Sequence, residues 1–185
     1  DWSSDVCSSD LLKHLQPALR KSNWQVTVAI YKEKEVIAIW PGYHEDALGL
    51  AVDIGSTTIA AHLIDLASGQ ALASAGRMNP QIRFGEDLMS RVSYVMMHPG
   101  SETQMCTAVR EAIAGLIKEV CLEAGKGPEN ILDCTIVGNP IMHHLFLGLS
   151  PVELGGAPFA LATEGAVTIA ASELQLGVNP GARCY

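Results

Sequence analysis

Two apolar runs, 48–54 and 59–64, flank the short polar stretch Gly55-Ser56-Thr57-Thr58. Their spacing predicts a buried strand followed by its hairpin partner. A third antiparallel strand is predicted over 71–75. Residues 85–97 then change to helical spacing, with Leu88, Val92, Val95 and Met96 on the inward face, and Pro99-Gly100 ends that helix. Ser101 and Gln104 have capping-box spacing at the head of a second helix. In it Val109, Ile113, Leu116, Ile117, Val120, Cys121 and Ala124 recur at i, i+3 and i+4. Gly125-Lys126-Gly127-Pro128 stops it. Residues 131–137 are a strand that the helical crossover makes parallel to the first, and 141–147 are a short helix after Gly138-Asn139-Pro140.

The two flanks are less regular. A short helix at 11–19 and strands at 24–30 and 36–40, joined by the polar turn Lys32-Glu33-Lys34-Glu35, cannot bury a core of their own. Residues 12–46 are therefore expected to be the C-terminal end of a small α+β middle domain with its linker. Residues 151–185, rich in Gly, Ala and Pro, give a weak strand near 166–170 and a short helix at 172–176. Arg183-Cys184-Tyr185 carries no closing signal, and the sequence is expected to continue beyond it. Residues 1–11, Asp1-Trp2-Ser3-Ser4-Asp5-Val6-Cys7-Ser8-Ser9-Asp10-Leu11, resemble a translated sequencing adapter. They lack the basic start and apolar centre of a signal peptide and are set apart as an artefact.

Charge narrows the function classes. The chain carries a formal charge of −8, which becomes −5 without Asp1, Asp5 and Asp10. It has no basic block for nucleic acid or an anionic membrane surface, and no uninterrupted apolar run of spanning length. Cys106, Cys121, Cys134 and Cys184 are widely spaced with no Cys-x-x-Cys pair. They read as small buried hydrophobes in a reducing cytoplasm.

The candidate chemistry lies in the polar gaps. Asp53 ends the first strand, where a carboxylate can hold a hydrated magnesium against a phosphate. Gly55 allows a close turn, so that main-chain N–H groups and the hydroxyls of Ser56, Thr57 and Thr58 can converge on an anion. Gly138 and Asn139 end the parallel strand, the place where α/β sheets bind ligands. Glu86 and Asp87 suit the dipole at a helix start. His143 and His144 invite a metal reading, but adjacent helical residues diverge and no third ligand has matching spacing. One is expected to pack with a hydrogen bond and the other to face the surface or an interface.

The 53–58 pattern resembles the first phosphate motif of the ASKHA superfamily, which includes sugar kinases, heat-shock ATPases and actin. It is not a Walker loop, since no Gly-Lys-Ser/Thr follows. Several further motifs are similar to one family, the reductive activators of corrinoid proteins of the RACo and RamA type. They are residues 49–61, Asn79-Pro80-Gln81-Ile82-Arg83-Phe84-Gly85-Glu86-Asp87, Ser90-Arg91, residues 138–149, Pro151 and Ala157-Pro158-Phe159. Where that family has a second Thr after the glycine this chain has Ser56, and where it often has two threonines after Gly-Asn this chain has Pro140 and Ile141.

The resemblance implies an α/β fold: an actin-like, ribonuclease H-like ATPase half-domain over 47–185, the truncated N-terminal half of an ASKHA domain. It implies an ATP-dependent iron–sulfur protein that reduces Co(II) corrinoid proteins to Co(I) for methyl transfer. The cofactors are ATP, Mg2+ and a [2Fe–2S] cluster whose ligands lie outside this stretch. The partner is a corrinoid protein, and a homodimer is left open. In this reading Asp53 is the catalytic carboxylate and holds Mg2+ through water. Gly55, Ser56, Thr57 and Thr58 contact phosphate, and Gly138 and Asn139 line the cleft or the partner face. Residues 12–185 alone are expected neither to transfer electrons nor to bind ATP tightly. Two alternatives share the pattern, a small-metabolite phosphotransferase and a non-catalytic actin-fold interaction module. A Cys-x4-Cys-x2-Cys run upstream separates the first reading from both.

Overall fold

The computed structural model describes residues 9–185. Of the segment set apart at 1–11, residues 1–8 lie outside the described residues, and 9–11 belong to the first turn of α1 (Ser9–Lys21). That helix ends where Asn23 and Trp24 adopt positive φ. β1 (Val26–Tyr31) and β2 (Glu35–Pro41) then pair antiparallel around a turn whose Lys32 and Glu33 also have positive φ. The hairpin does not close on itself. Ile37 and Ala38 pack on Leu132, with Ala29, Tyr31, Trp40 and Ala47 around them. Residue 181 has to be glycine for this docking, because a Cβ there would lie 1.9 Å from the Ile37 carbonyl oxygen.

The main sheet is built from β3 (Leu48–Ile54), β4 (Thr58–Asp65), β5 (Ala71–Met78), β6 (Ile131–Gly138), β7 (Ile169–Ala170) and β8 (Arg183–Cys184), in the order β5-β4-β3-β6-β8-β7. β3, β4 and β5 form an antiparallel meander, and β6 and then β8 add parallel to β3. A meander extended by parallel strands through helical crossovers is the α/β, actin-like half-domain arrangement. Strand alternation explains its two faces. Leu48, Leu50, Val52 and Ile54 of β3 are all buried, whereas Asp53 is exposed on the opposite side.

The crossover helix α3 (Glu102–Ala124) covers the buried face with Met105, Val109, Ile113, Leu116, Ile117 and Val120, each at most 1 % exposed. Burial of side chains of this size contributes about 1.5–3 kcal/mol each, so α3 is the main fastening of the sheet. Gly125 in the left-handed conformation ends it. α2 (Leu88–Met97), α4 (Pro140–Leu147) and the short α5 (Ala171–Leu174) complete that layer.

Three local expectations are corrected, and one further element appears. Met96 is 60 % exposed, and the inward face of α2 is made by Arg91, Val92 and Val95. Ser101 makes no side-chain cap bond, and its backbone is already helical, so its hydroxyl cannot reach back to the first turn. The strand at 166–170 shrinks to Ile169–Ala170 and the helix moves to Ala171–Leu174. Residues 183–185 are ordered by pairing. Tyr185 N donates to Cys134 O at 2.9 Å, and Ile136 N donates to Tyr185 O at 2.6 Å.

Candidate functional site

The bend between β3 and β4 is a tight two-residue hairpin. Gly55 N donates to Thr58 O at 3.0 Å, and a Cβ on residue 55 would sit 2.6 Å from that same oxygen. Only glycine lets the strands close so tightly here. Ser56 and Thr57 form the tip. Among the described residues, neither their backbone N–H groups nor the hydroxyls of Ser56, Thr57 and Thr58 have a protein partner. Thr57 and Thr58 are exposed and Ser56 is half-buried. Asp53 lies two residues before Gly55, exposed, and its carboxylate has no hydrogen bond or ion pair among the described residues.

Sheet register brings the second motif alongside. Asp53 pairs with Val137 and Ile54 with Gly138. Gly138 is fixed by packing, since a Cβ there would lie 3.2 Å from Ile54 O and 3.3 Å from Met142 Cβ. Asn139 caps α4, its Oδ1 accepting from Met142 N at 3.0 Å. The sequence-predicted residues Asp53, Gly55, Ser56, Thr57, Thr58, Gly138 and Asn139 thus gather at the ends of neighbouring strands.

Beneath the bend lies a buried polar block that sequence reasoning missed. Asn79, Gln81 and Arg91 are each 0 % exposed. Asn79 N donates to Thr57 O at 2.7 Å, and its Nδ2 donates to Gly55 O at 2.8 Å. Its Oδ1 accepts from Gln81 N at 3.0 Å, and Gln81 Nε2 donates to Met105 O on α3 at 3.0 Å. Arg91 donates through Nη2 to Ser56 O, through Nε to Gly85 O at 3.0 Å, and through Nη1 to Gln81 Oε1 and Met142 Sδ.

No carboxylate pairs with Arg91 among the described residues, so backbone carbonyl dipoles take its charge. Burial pulls its pKa below the ordinary value, opposed by the nearby charge of Asp87. Gly85 makes the approach possible, because a Cβ there would stand 2.7 Å from Arg91 N. The segment 79–91 is therefore the backing of the bend. Its signal in the string is faint, since arginine is almost never fully buried and periodicity assigns it outward.

One histidine packs with hydrogen bonds as expected, and the other is drawn partly inward. His144 is 1 % exposed, with Nδ1 bonded to Pro140 O at 2.8 Å and Nε2 accepting from Ala162 N at 3.1 Å. These partners assign the proton to Nδ1. His143 is half-buried, its pKa pushed down by burial and by His144. It lines a cavity of about 270 Å³ with Ile136, Gly138, Phe146, Glu164 and Cys184. Of the seven predicted site residues only Gly138 borders that cavity. Asp53 and the bend form an open edge beside it.

Residues 48–185 match the family model described as the RACo middle region, and residues 1–46 the model described as the RACo linker region. The chain is 31 % identical over 178 residues to the corrinoid activation enzyme RamQ of Eubacterium limosum, covering 95 % of this chain and 30 % of that protein. It matches a solved structure titled reductive activator for corrinoid, iron–sulfur protein with a TM-score of 0.83 and 34 % identity. That match covers 96 % of this chain and 29 % of the other. The chain thus spans less than a third of either relative's length. With both regions matched in order, it belongs to the RACo family, whose linker and middle regions it carries.

Proposed function

We propose that this chain is part of an ATP-dependent activator that reduces the Co(II) form of a corrinoid protein to Co(I), and that the β3–β4 bend contributes half of the nucleotide site. One observation supports this most directly. A glycine-closed bend presents two unpaired backbone N–H groups and three free hydroxyls beside an exposed carboxylate. That donor set fits the terminal phosphates of a nucleotide, and Asp53 fits a magnesium ion held through water. Bound ATP supplies the free energy for the uphill reduction. Within the site, Ser56 and Thr57 orient phosphate through N–H groups, Thr58 adds its hydroxyl, and Asp53 positions the metal. Gly138 and Asn139 form the neighbouring wall or the face toward the corrinoid protein.

An iron–sulfur cluster is not held by the described residues. Cys106, Cys121, Cys134 and Cys184 are buried, and among the described residues no three His, Cys, Asp or Glu side chains converge. Cluster ligation therefore belongs to other parts of the whole protein. No helix among the described residues is long and apolar enough to cross a membrane, and reduced thiols suit the cytoplasm.

The test is Asp53→Asn in the complete protein, with ATP turnover measured beside the conversion of Co(II) to Co(I) by visible absorbance. Loss of a group that stabilises the transferring phosphate lowers turnover by roughly 100-fold or more. The far-ultraviolet circular dichroism should stay the same. Unchanged turnover would remove Asp53 from the site.

A further inference from the structure

Leu63, Leu50, Cys134 and Cys184 follow one another across β4, β3, β6 and β8 in direct register, and Ile169 of β7 completes the row. Register partners in adjacent strands point to the same face, so the sulfurs of Cys134 and Cys184 share the buried side of the sheet. They are 0 % and 2 % exposed. Neighbouring strands run about 4.8 Å apart. That spacing falls inside the Cα separation of roughly 4.4–6.8 Å that a disulfide accepts. β8 is only two residues long, so it can shift by the few tenths of an ångström that bonding requires. Access exists despite the burial, because Cys184 lines the cavity of about 270 Å³ beside Gly138 and His143.

We propose that Cys134 and Cys184 form a reactive dithiol that a small peroxide converts to a disulfide, stapling β8 to β6 at the wall of this cavity. The chemistry balances in two steps. The Cys184 thiolate attacks one peroxide oxygen, the O–O bond breaks, and sulfenic acid and hydroxide form. The Cys134 sulfur then attacks the Cys184 sulfur, the S–O bond breaks, and hydroxide leaves and takes up the thiol proton as water. In sum, two thiols and one hydrogen peroxide give one disulfide and two waters.

The roles of the two sulfurs follow from their surroundings. The neighbouring Cys134 thiol lowers the pKa of Cys184, helped by Arg183 and opposed by burial and Asp133. The adjacent Cys184 and burial hold Cys134 well above the ordinary thiol value. Cys184 lines the cavity and Cys134 does not, so Cys184 is the attacking thiol and Cys134 the resolving one. Cys106 and Cys121 provide an internal contrast. They lie on α3, about 22 Å apart by helical rise. Cys106 donates to Phe146 O at 3.2 Å, and burial raises both of their pKa values.

The experiment uses the full chain carrying Cys7→Ser, so that a thiol outside this row cannot compete. The chain is treated with hydrogen peroxide, denatured, alkylated and mapped by mass spectrometry without reductant. The expected result is a loss of about 2 Da, a single Cys134–Cys184 cross-linked peptide, full alkylation of Cys106 and Cys121, and reversal by dithiothreitol. Cys184→Ser should slow the loss of the Cys134 thiol at least about tenfold. Phenylarsine oxide, which bridges paired thiols, should give one adduct joining Cys134 and Cys184 in the chain with both cysteines intact. Sulfinic or sulfonic acid on separate cysteines, a cross-link that includes Cys106 or Cys121, or no bridged adduct would each overturn the proposal.

Discussion

The Asp53 carboxylate, the Ser56 and Thr57 N–H groups and the hydroxyls of residues 56–58 are left without protein partners among the described residues, whereas Asn79, Gln81 and Arg91, a few ångströms behind them, commit their polar groups inward. Both stretches are short, polar and glycine-containing, and on composition they look alike. Their hydrogen bonds separate them. The bend leaves two N–H groups and three hydroxyls free, while the carbonyl oxygens of Gly55, Ser56 and Thr57 are each held from below by Asn79 or Arg91. Holding the carbonyls fixes the peptide planes, and fixed planes aim the opposite N–H groups outward. A set of donors that must meet an anion without rearranging needs such a backing. On the proposed function the open part meets the phosphate and the closed part holds it rigid.

The most severe way to break this pairing is Arg91→Met. The substitution removes a buried charge, which by itself relieves desolvation. It also leaves the carbonyls of Ser56 and Gly85 without a donor, at about 1–3 kcal/mol each. The second effect wins, and the net destabilisation is about 2–4 kcal/mol. Urea unfolding followed by circular dichroism measures it, and hydrogen exchange should quicken first at residues 55–58. A change below about 1 kcal/mol would mean that Arg91 only fills space.

Gly55→Ala attacks the same pairing from the open side. Its new Cβ meets the Thr58 carbonyl at 2.6 Å, a backbone atom that cannot swing away like a side-chain tip. The hairpin must widen at its tip, at about 1–3 kcal/mol. Asn79 Nδ2, aimed at Gly55 O, then loses its target geometry. In the complete protein the variant should lose its ATP dependence even where it stays folded. Normal ATP turnover in a folded Gly55→Ala protein would show that the tight closure is structural only.

These two variants also mark what the residue string could and could not disclose. Strand alternation in 48–54 and the stripe of α3 are repeated signals, each residue agreeing with its neighbours, and both elements stand as expected. The hydroxyl-rich bend was legible because its turn chemistry is local. Arg91 was not, since its partners are carbonyls of Ser56 and Gly85 that only the folded chain brings to it. The same rotation of α2 that buries Arg91 turns Met96 out to solvent. β8 was hidden for a related reason: two residues carry no period, and its strand character comes wholly from pairing with β6 and β7.

The mildest test concerns the rim between the two regions. Asp87 caps α2, its carboxylate accepting from Ser90 N at 2.7 Å, four residues before the buried Arg91. The Ser90 backbone N–H and then its hydroxyl hold the Asp87 pKa below the ordinary 3.8, with smaller help from Met89 and from the charge of Arg91. A carboxyl whose pKa is lower folded than unfolded binds fewer protons in the native state. Its contribution is therefore complete above 3.8 and disappears as pH falls through the lower native value. Asp87→Asn keeps an oxygen acceptor for the cap and removes only the charge. The variant should unfold at lower urea than the parent at pH 7, and the two midpoints should converge as pH falls below 3.8. If the gap persists unchanged down to pH 3, the cap acts through its geometry, and the charge of Asp87 has no part in steadying the arginine behind the bend.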